Sequence, residues 1–383
     1  MSGNGSDLRG RFEEGAAHLR RGAIDDAQAT FESILAEMPD HPGSLHFIGV
    51  IRFQRGEHEA GIDLMRRSLA LRPDEPGFNQ NLGGALRALG RYDEALPVLE
   101  RAVALAPEDA LAAANLATTL HRLGRSDEAA RAGQHALELK DAQAVAAAPG
   151  AAIAASSVTV PPFRTDDPAR NVIAFSLWGE KTEYLAGALE NATLAKTVYP
   201  HWTARFYVDA TVPGAVINAL EKAGAEVVVM PRPERAARGL FWRFEAANDP
   251  AIDRFLCRDC DARLNAREAA AVSAWLDSGA AFHVMRDSLA HLELILAGMW
   301  GGVAGILPDM AAMADAQVGA YGGRWADQIF LRREIWPRIR NIVVTHDSHY
   351  RIGDSRPFPP GSELPAGQHV GGAVLGDRPR SDS

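Results

Sequence analysis

Asp259 and Asp261 stand two residues apart in AIDRFLCRDCDARL (251–264), directly after an apolar run that includes Phe255 and Leu256. Two carboxylates at that spacing on a turn can grip one hard divalent cation. Such a cation takes oxygen ligands and commonly ties a protein to a diphosphate. The plainer alternative is a solvated turn in which Arg258 and Arg263 are ion partners of little energetic worth. Those two arginines flank the acids, and they could instead neutralise phosphate oxygens through paired N–H donors. Arg243 lies between Trp242 and Phe244. It could reach a diphosphate or stack on a base, or merely lay its stem over apolar surface. His346, Asp347 and His349 follow an apolar run near the end of the α/β pattern, and a neutral imidazole at His346 offers a third metal ligand. His283, inside an apolar strand, reads as a core histidine, and Glu268 reads as structural. Cys257 and Cys260 form CRDC without a second pair, so they read as incidental residues rather than half a zinc site.

These groups need a frame. NVIAFSL (171–177), ARFYV (204–208) and AEVVVM (225–230) are buried-strand patterns separated by helical spacing over 182–198 and 213–223. AFHVM (281–285) and NIVVT (341–345) add strands, and helices are predicted over 265–276, 288–298 and 325–339. Strands alternating with helices imply a parallel sheet of Rossmann type. In such sheets ligands bind beyond the C-terminal ends of the strands, which is where Asp259 and Asp261 fall. Asp327 and Gln328 open the helix 325–339, where an acid also suits the helix dipole. The glycine-rich stretches 298–302 and 319–323 lack the phosphate-loop pattern. PFPPG (357–361) reads as a turn or extended segment, and GQHVGGAVLG (367–376) as a segment able to dock back as an edge strand, with the last residues disordered.

The first part of the chain is periodic. Gly22, Gly56, Gly90 and Gly124 recur every 34 residues, as do Gly15, Gly49, Gly83 and Ala117, the set Ala27, Gly61, Ala95 and Ala129, and Pro39, Pro73 and Pro107. Small residues let two helices approach closely, the glycine ends the first helix, and the proline separates units. This resembles the tetratricopeptide repeat, most clearly in NLGGALRALGRYDEALPVLERAVALAP (81–107). The early aromatic usual in that repeat is absent from all four units, and Gly133 replaces a large apolar residue, so the fourth unit reads as a degenerate cap. The resemblance implies a concave face for a protein or peptide partner; packing on a neighbouring domain or self-pairing is the alternative.

From about 171 to 349 the chain resembles a GT-A-fold glycosyltransferase domain of bacterial glycan pathways. The carrying pieces are FSLWG (175–179), FWRF (241–244), RDCDAR (258–263), FHVMRD (282–287), GMWGG (298–302), ADQIFL (326–331) and THDSH (345–349). The resemblance implies a nucleotide-diphosphate-sugar donor, a glycan or protein acceptor, and Mn2+ or Mg2+ on Asp259 and Asp261 with His346 as a further ligand. It places the donor base and ribose by Ser176 and Trp178, and phosphates by Arg243, Arg258 and Arg263. The acceptor falls near Arg286 and Asp287, and Asp327 with Gln328 touches the acceptor or acts as base.

The domains expected are therefore a repeat solenoid over 8–143, a linker over 144–169, a GT-A or Rossmann-like α/β domain over 170–352, and a Pro/Gly-rich tail over 353–383. The chain has 383 residues, is 47% hydrophobic, and carries a net charge of −9. That charge argues against nucleic acid as a partner. No apolar run approaches ~18 residues, so no transmembrane helix is expected. Two cysteines and no signal-peptide pattern fit a cytoplasmic protein, membrane-peripheral at most through a partner. The rival readings are a non-catalytic adaptor with an inactive transferase-like domain and a metal-dependent nucleotide-sugar hydrolase. A transferase of the O-linked N-acetylglucosamine kind, with two Rossmann halves, needs more chain than 171–350.

Overall fold

The computed structural model describes residues 3–233, 236–317, 323 and 325–372. The expected glycine-rich stretch 319–323, save Gly323, and the tail beyond 372 lie outside the described residues. The chain divides into two compact units, Met1–Leu139 and Lys140–Ser383.

The first unit is built from helix pairs: α1 (Gly3–Arg20) with α2 (Ile24–Glu37), α3 (Pro42–Gln54) with α4 (His58–Leu71), and α5 (Pro76–Ala88) with α6 (Tyr92–Leu105). α7 (Ala110–Arg122) and the start of α8 (Ser126–Ala147) complete the series. The period has a direct cause in the backbone. Gly22, Gly56, Gly90 and Gly124 all take φ between +73° and +87°, the left-handed conformation that closes each first helix. A Cβ on Gly49 would stand 2.8 Å from the Gly61 carbonyl oxygen, so α3 and α4 touch backbone to backbone. Ala27, Ala95, Ala117 and Ala129 are wholly buried at the equivalent crossings. Pro42 and Pro76 open their helices where no intrahelical donor is needed. Because an L-residue pays roughly 1–2 kcal/mol to adopt the left-handed region, Gly90→Ala should lower stability by about 1 kcal/mol. Urea unfolding followed by circular dichroism checks it: the midpoint should fall with an unchanged slope.

The second unit holds eight strands: β1 (Asn171–Leu177), β2 (Thr203–Val208), β3 (Glu226–Val229), β4 (Arg254–Arg258), β5 (Phe282–Arg286), β6 (Trp300–Val303), β7 (Val343–Asp347) and β8 (Asp354–Arg356). They form one sheet in the order β3-β2-β1-β4-β6-β5-β7-β8. Every pairing is parallel except those of β6, which runs against β4 and β5. The sheet is thus mixed rather than the parallel sheet expected. Gly301 and Gly302 make β6 possible, since a Cβ on either would strike Phe255 and Leu256 or the Phe282 ring. α9 (Thr182–Val198), α10 (Gly214–Lys222) and α11 (Ala266–Ser278) connect or cover strands. β1 is buried along its whole length, and Ile173, Phe175, Phe206 and Leu256 lie in the main core.

Three local expectations are corrected. The apolar segment 288–298 is not a helix: the carbonyls of Leu289 and Leu294 accept from Tyr350 Oη (2.6 Å) and Arg286 Nη1 (2.8 Å), and Leu292 O accepts from Lys140. Those carbonyls are taken by side chains instead of a helical ladder. The helix expected over 325–339 is α13 (Ala326–Phe330), a π-helical turn (Leu331–Ile335) and α14 (Trp336–Ile339); α12 (Met310–Gln317) precedes them. The docked tail is not an edge strand. Val370 is buried, its amide donating to Asp287 Oδ2 at 3.0 Å, and the edge is β8. Residues 149–169 hold little regular structure, yet they are anchored, with Ile153 N donating to Arg338 O (2.9 Å) and Arg254 donating to the carbonyls of Pro161 and Pro162.

Candidate active site at the β1–β4 crevice

After β3 the chain returns across β2 and β1 to lay down β4 on the other side of β1. This reversal opens a crevice at the C-terminal ends of β1 and β4, the place where open α/β sheets bind ligands. The register pairs Phe175 with Arg258, so Ser176, still within β1, lies beside Asp259, the first residue after β4. A long 3-10 stretch, Ala236–Asn248, lies against this end and delivers Arg243. Its anchor is local: the Arg243 amide donates to Ser176 Oγ at 3.0 Å.

Arg243 is the hub. Its side chain is buried, Nη1 meets Asp259 Oδ1 at 2.5 Å, and Nη2 meets Asp327 Oδ2 at 2.8 Å. Asp327 sits in the first turn of α13, with Oδ1 accepting from the Gln328 amide at 2.9 Å. Burial disfavours the guanidinium charge, but Asp259 and Asp327 outweigh it and hold the group protonated. Burial likewise pushes the Asp327 carboxyl up to about 6, even against Arg243. Asp261 is also raised, first by burial and then by repulsion from Asp259. Asp259 keeps 44% of its side chain in solvent. Gly298 faces it with no room for a Cβ, and a Cβ on Gly187 of α9 would overlap the Cys260 carbonyl that shapes the turn. Trp178 packs edge-on against Trp242, ring centres 6.0 Å apart, and lies over Gly239. The loop after it is tied back by the Gly179 amide donating to Thr211 Oγ1 at 2.7 Å, and Thr211 in turn bonds Asp209.

The crevice therefore gathers Ser176, Trp178, Arg243, Asp259, Asp261 and Asp327, while Gln328 contributes its backbone amide to Asp327. Other expected residues are elsewhere occupied. The Arg258 side chain points into the core, 3.3 Å from Glu268, which also accepts from Tyr199 Oη at 2.9 Å. It is therefore not free to meet a phosphate. Arg263 pairs with Glu190 and donates to the carbonyls of residues 260–262, bracing the turn from behind. Arg286 is fully buried against Asp347 at 2.6 Å. Asp287 accepts two bonds from Arg267, at 2.8 and 2.9 Å, and the Val370 amide. Neither is placed to line an acceptor. His346 stacks edge-on with His283, Nδ1 to Nε2 2.8 Å, and burial lowers its imidazole to about 4. Among the described residues no group of three His, Cys, Asp or Glu side chains converges as a metal site, so the three-ligand set Asp259, Asp261 and His346 does not form. Both cysteines are buried and unpaired, and burial pushes Cys257 up to about 12. Reasoning from residue types missed Gly187, Gly298 and Asp209. Gly298 stands in the GMWGG segment, and Asp209 follows an apolar strand directly, so both carried a signal.

The N-terminal unit can be placed by class. Residues 12–76 and 78–142 each match a family model described as tetratricopeptide repeat, and these repeats are followed by the mixed α/β sheet unit. Particular solved structures are similar over parts of the chain. A crystal structure of MamA is 20% identical, with 37% of this chain and 82% of that one covered at a TM-score of 0.33. MamA from Desulfovibrio magneticus RS-1 is 26% identical over 34% of this chain and 75% of that one, TM-score 0.32. A mutant O-GlcNAc transferase from Thermobaculum terrenum is 19% identical over 67% of this chain and 47% of that one, TM-score 0.35. No curated protein matches the chain in sequence. No helix among the described residues is long and apolar enough to cross a membrane.

Proposed function

We propose that the α/β unit is a metal-dependent glycosyltransferase domain, moving a sugar from a nucleotide-diphosphate donor to a glycan or protein acceptor, and that the repeats recruit a protein partner. The observation that carries this reading is Arg243 held between Asp259 and Asp327 at the β1–β4 crevice. Mn2+ or Mg2+ would be held by Asp259 and Asp261. Two carboxylates fit such an ion, which fills its other positions with water and phosphate oxygens, and the raised Asp261 is relieved when a cation offsets Asp259. The ion would supply charge neutralisation to the departing diphosphate. Arg243 adds fixed positive charge beside it. Ser176 orients the segment that carries Arg243, and Trp178 offers a ring to the base. Asp327, at about 6, is largely ionised at neutral pH and suited to accept a proton from an acceptor hydroxyl.

The test is a thermal-shift panel of nucleotide-diphosphate sugars with and without Mn2+, on the native chain and on Asp259→Asn/Asp261→Asn. One nucleotide class should raise Tm by several degrees only with metal, and the double variant should lose the shift. A folded protein that no nucleotide stabilises would replace this reading with the non-catalytic adaptor. Nucleotide binding with release of free sugar, and no transfer to any acceptor, would favour the hydrolase.

A further inference from the structure

Asn191 is wholly buried, and both ends of its amide are spent on one short segment. Nδ2 donates to the Ala262 carbonyl at 2.8 Å, and Oδ1 accepts from the Leu264 amide at 3.0 Å. That segment leads directly out of the turn that carries Asp259 and Asp261. The same face of the helix serves the turn elsewhere. Gly187, Glu190 and Asn191 stand at i, i+3 and i+4 of α9, the spacing of neighbours on one face. Gly187 leaves no room for a Cβ against the Cys260 carbonyl. Glu190 holds Arg263, whose Nη1 donates to the carbonyls of Cys260, Asp261 and Ala262 at 3.3 Å each. α9 therefore pins the peptide groups on both sides of Asp261.

Satisfying two buried backbone groups would explain the hydrogen bonds of Asn191. It would not explain why three positions of one helix face converge on the turn with the two acids. Pinned peptides fix where the Asp261 carboxylate leaves the backbone, and Arg243 fixes Asp259 from the other side. The gap between the carboxylates is then set by the protein rather than by the ion. A fixed gap discriminates by ion size. Mg2+ needs near-ideal octahedral geometry at about 2.0–2.1 Å, whereas Ca2+ takes about 2.3–2.6 Å in looser arrangements. We propose that Asn191 is a positioning residue for the cation site, holding the turn so that Asp259 and Asp261 suit a small octahedral ion and disfavour Ca2+. This inference rests on the metal-dependent reading above and adds the residue that sets its ion preference.

Mn2+ electron paramagnetic resonance on the full chain tests it, with Mn2+ alone and with UDP or GDP added, and with Mg2+ and Ca2+ as competitors. The native chain should take up Mn2+, lose that uptake in Asp259→Asn/Asp261→Asn, and yield the ion to Mg2+ more readily than to Ca2+. Asn191→Ala should weaken Mn2+ about tenfold or more, the usual cost of removing a group that orients metal ligands, and should move the competition toward Ca2+. Asn191→Ser keeps a hydroxyl for one of the two backbone groups and should fall between the two; it carries the test if circular dichroism shows Asn191→Ala unfolded. A folded Asn191 variant with native Mn2+ uptake, or one that loses Mg2+ and Ca2+ alike, overturns the inference and leaves the metal-dependent reading standing. A native chain whose Mn2+ uptake is absent, or indifferent to the two acids, in every sample overturns both.

Discussion

Arg243→Met is expected to cost about 3–5 kcal/mol at pH 8, the range for removing one partner from a buried ion pair, and much less at pH 5. The asymmetry follows from Asp327. Its carboxyl titrates near 6 in the folded chain against about 3.9 when unfolded, so the ionised form is the one the fold disfavours. The stability this group contributes is complete below about pH 4 and is lost as the pH rises through 6. Without the guanidinium, which lowers it, the carboxyl titrates higher still, and the loss continues above pH 6. At pH 5 Asp327 is mostly protonated in both proteins, and the deficit shrinks. Urea unfolding at pH 5 and pH 8 measures the difference directly. An equal deficit at the two pH values would mean that Asp327 does not depend on Arg243 for its charge.

Gly298→Ala should separate function from stability. The added Cβ overlaps Asp259 Oδ2 and Cγ, and a partly exposed carboxylate yields by rotating into solvent. The cost in stability should stay near or below the lower end of the usual overpacking range of about 1–3 kcal/mol. The rotation breaks the pair with Arg243 and turns the carboxylate away from Asp261. Sugar transfer should fall on the order of 100-fold, as when one preorganised charge-stabilising group is removed, and the metal-dependent nucleotide shift should vanish. Calorimetry beside a transfer assay, or beside the nucleotide thermal shift, reads both sides. A variant that keeps the metal-dependent shift would remove Asp259 from the site.

Much of the frame was legible because it rests on local rules. The 34-residue period reports helix-crossing and left-handed positions that glycine and alanine must fill, and the apolar strands β1, β2 and β4 announce themselves by composition. What stayed hidden depends on distant partners. WGGV (300–303) is not among the predicted strands, and Phe255 and Phe282 explain why only glycine fits there. The segment 288–298 has the apolar content of a helix, but Tyr350 and Arg286 claim its carbonyls. In the site, Asp259, Asp261, Arg243 and Asp327 were legible as residue types near strand or helix ends. Arg258, Arg286 and Asp287 looked equally available, and only their burial against Glu268, Asp347 and Arg267 sets them apart.

The docked segment around Val370 bears on how the α/β unit could be produced alone. The alternation of strands and helices invites a cut near residue 352. Such a fragment would uncover Met285 and Met299, which share a core with Phe358 and Val370, and would strip the Phe358 ring from under the Arg267 guanidinium, 4.2 Å away. Met299 adjoins Gly298, the residue against Asp259. A recombinant fragment ending at 352 is therefore expected to be sticky, and its loosened floor would make a negative assay uninformative; one ending at 372 keeps the segment.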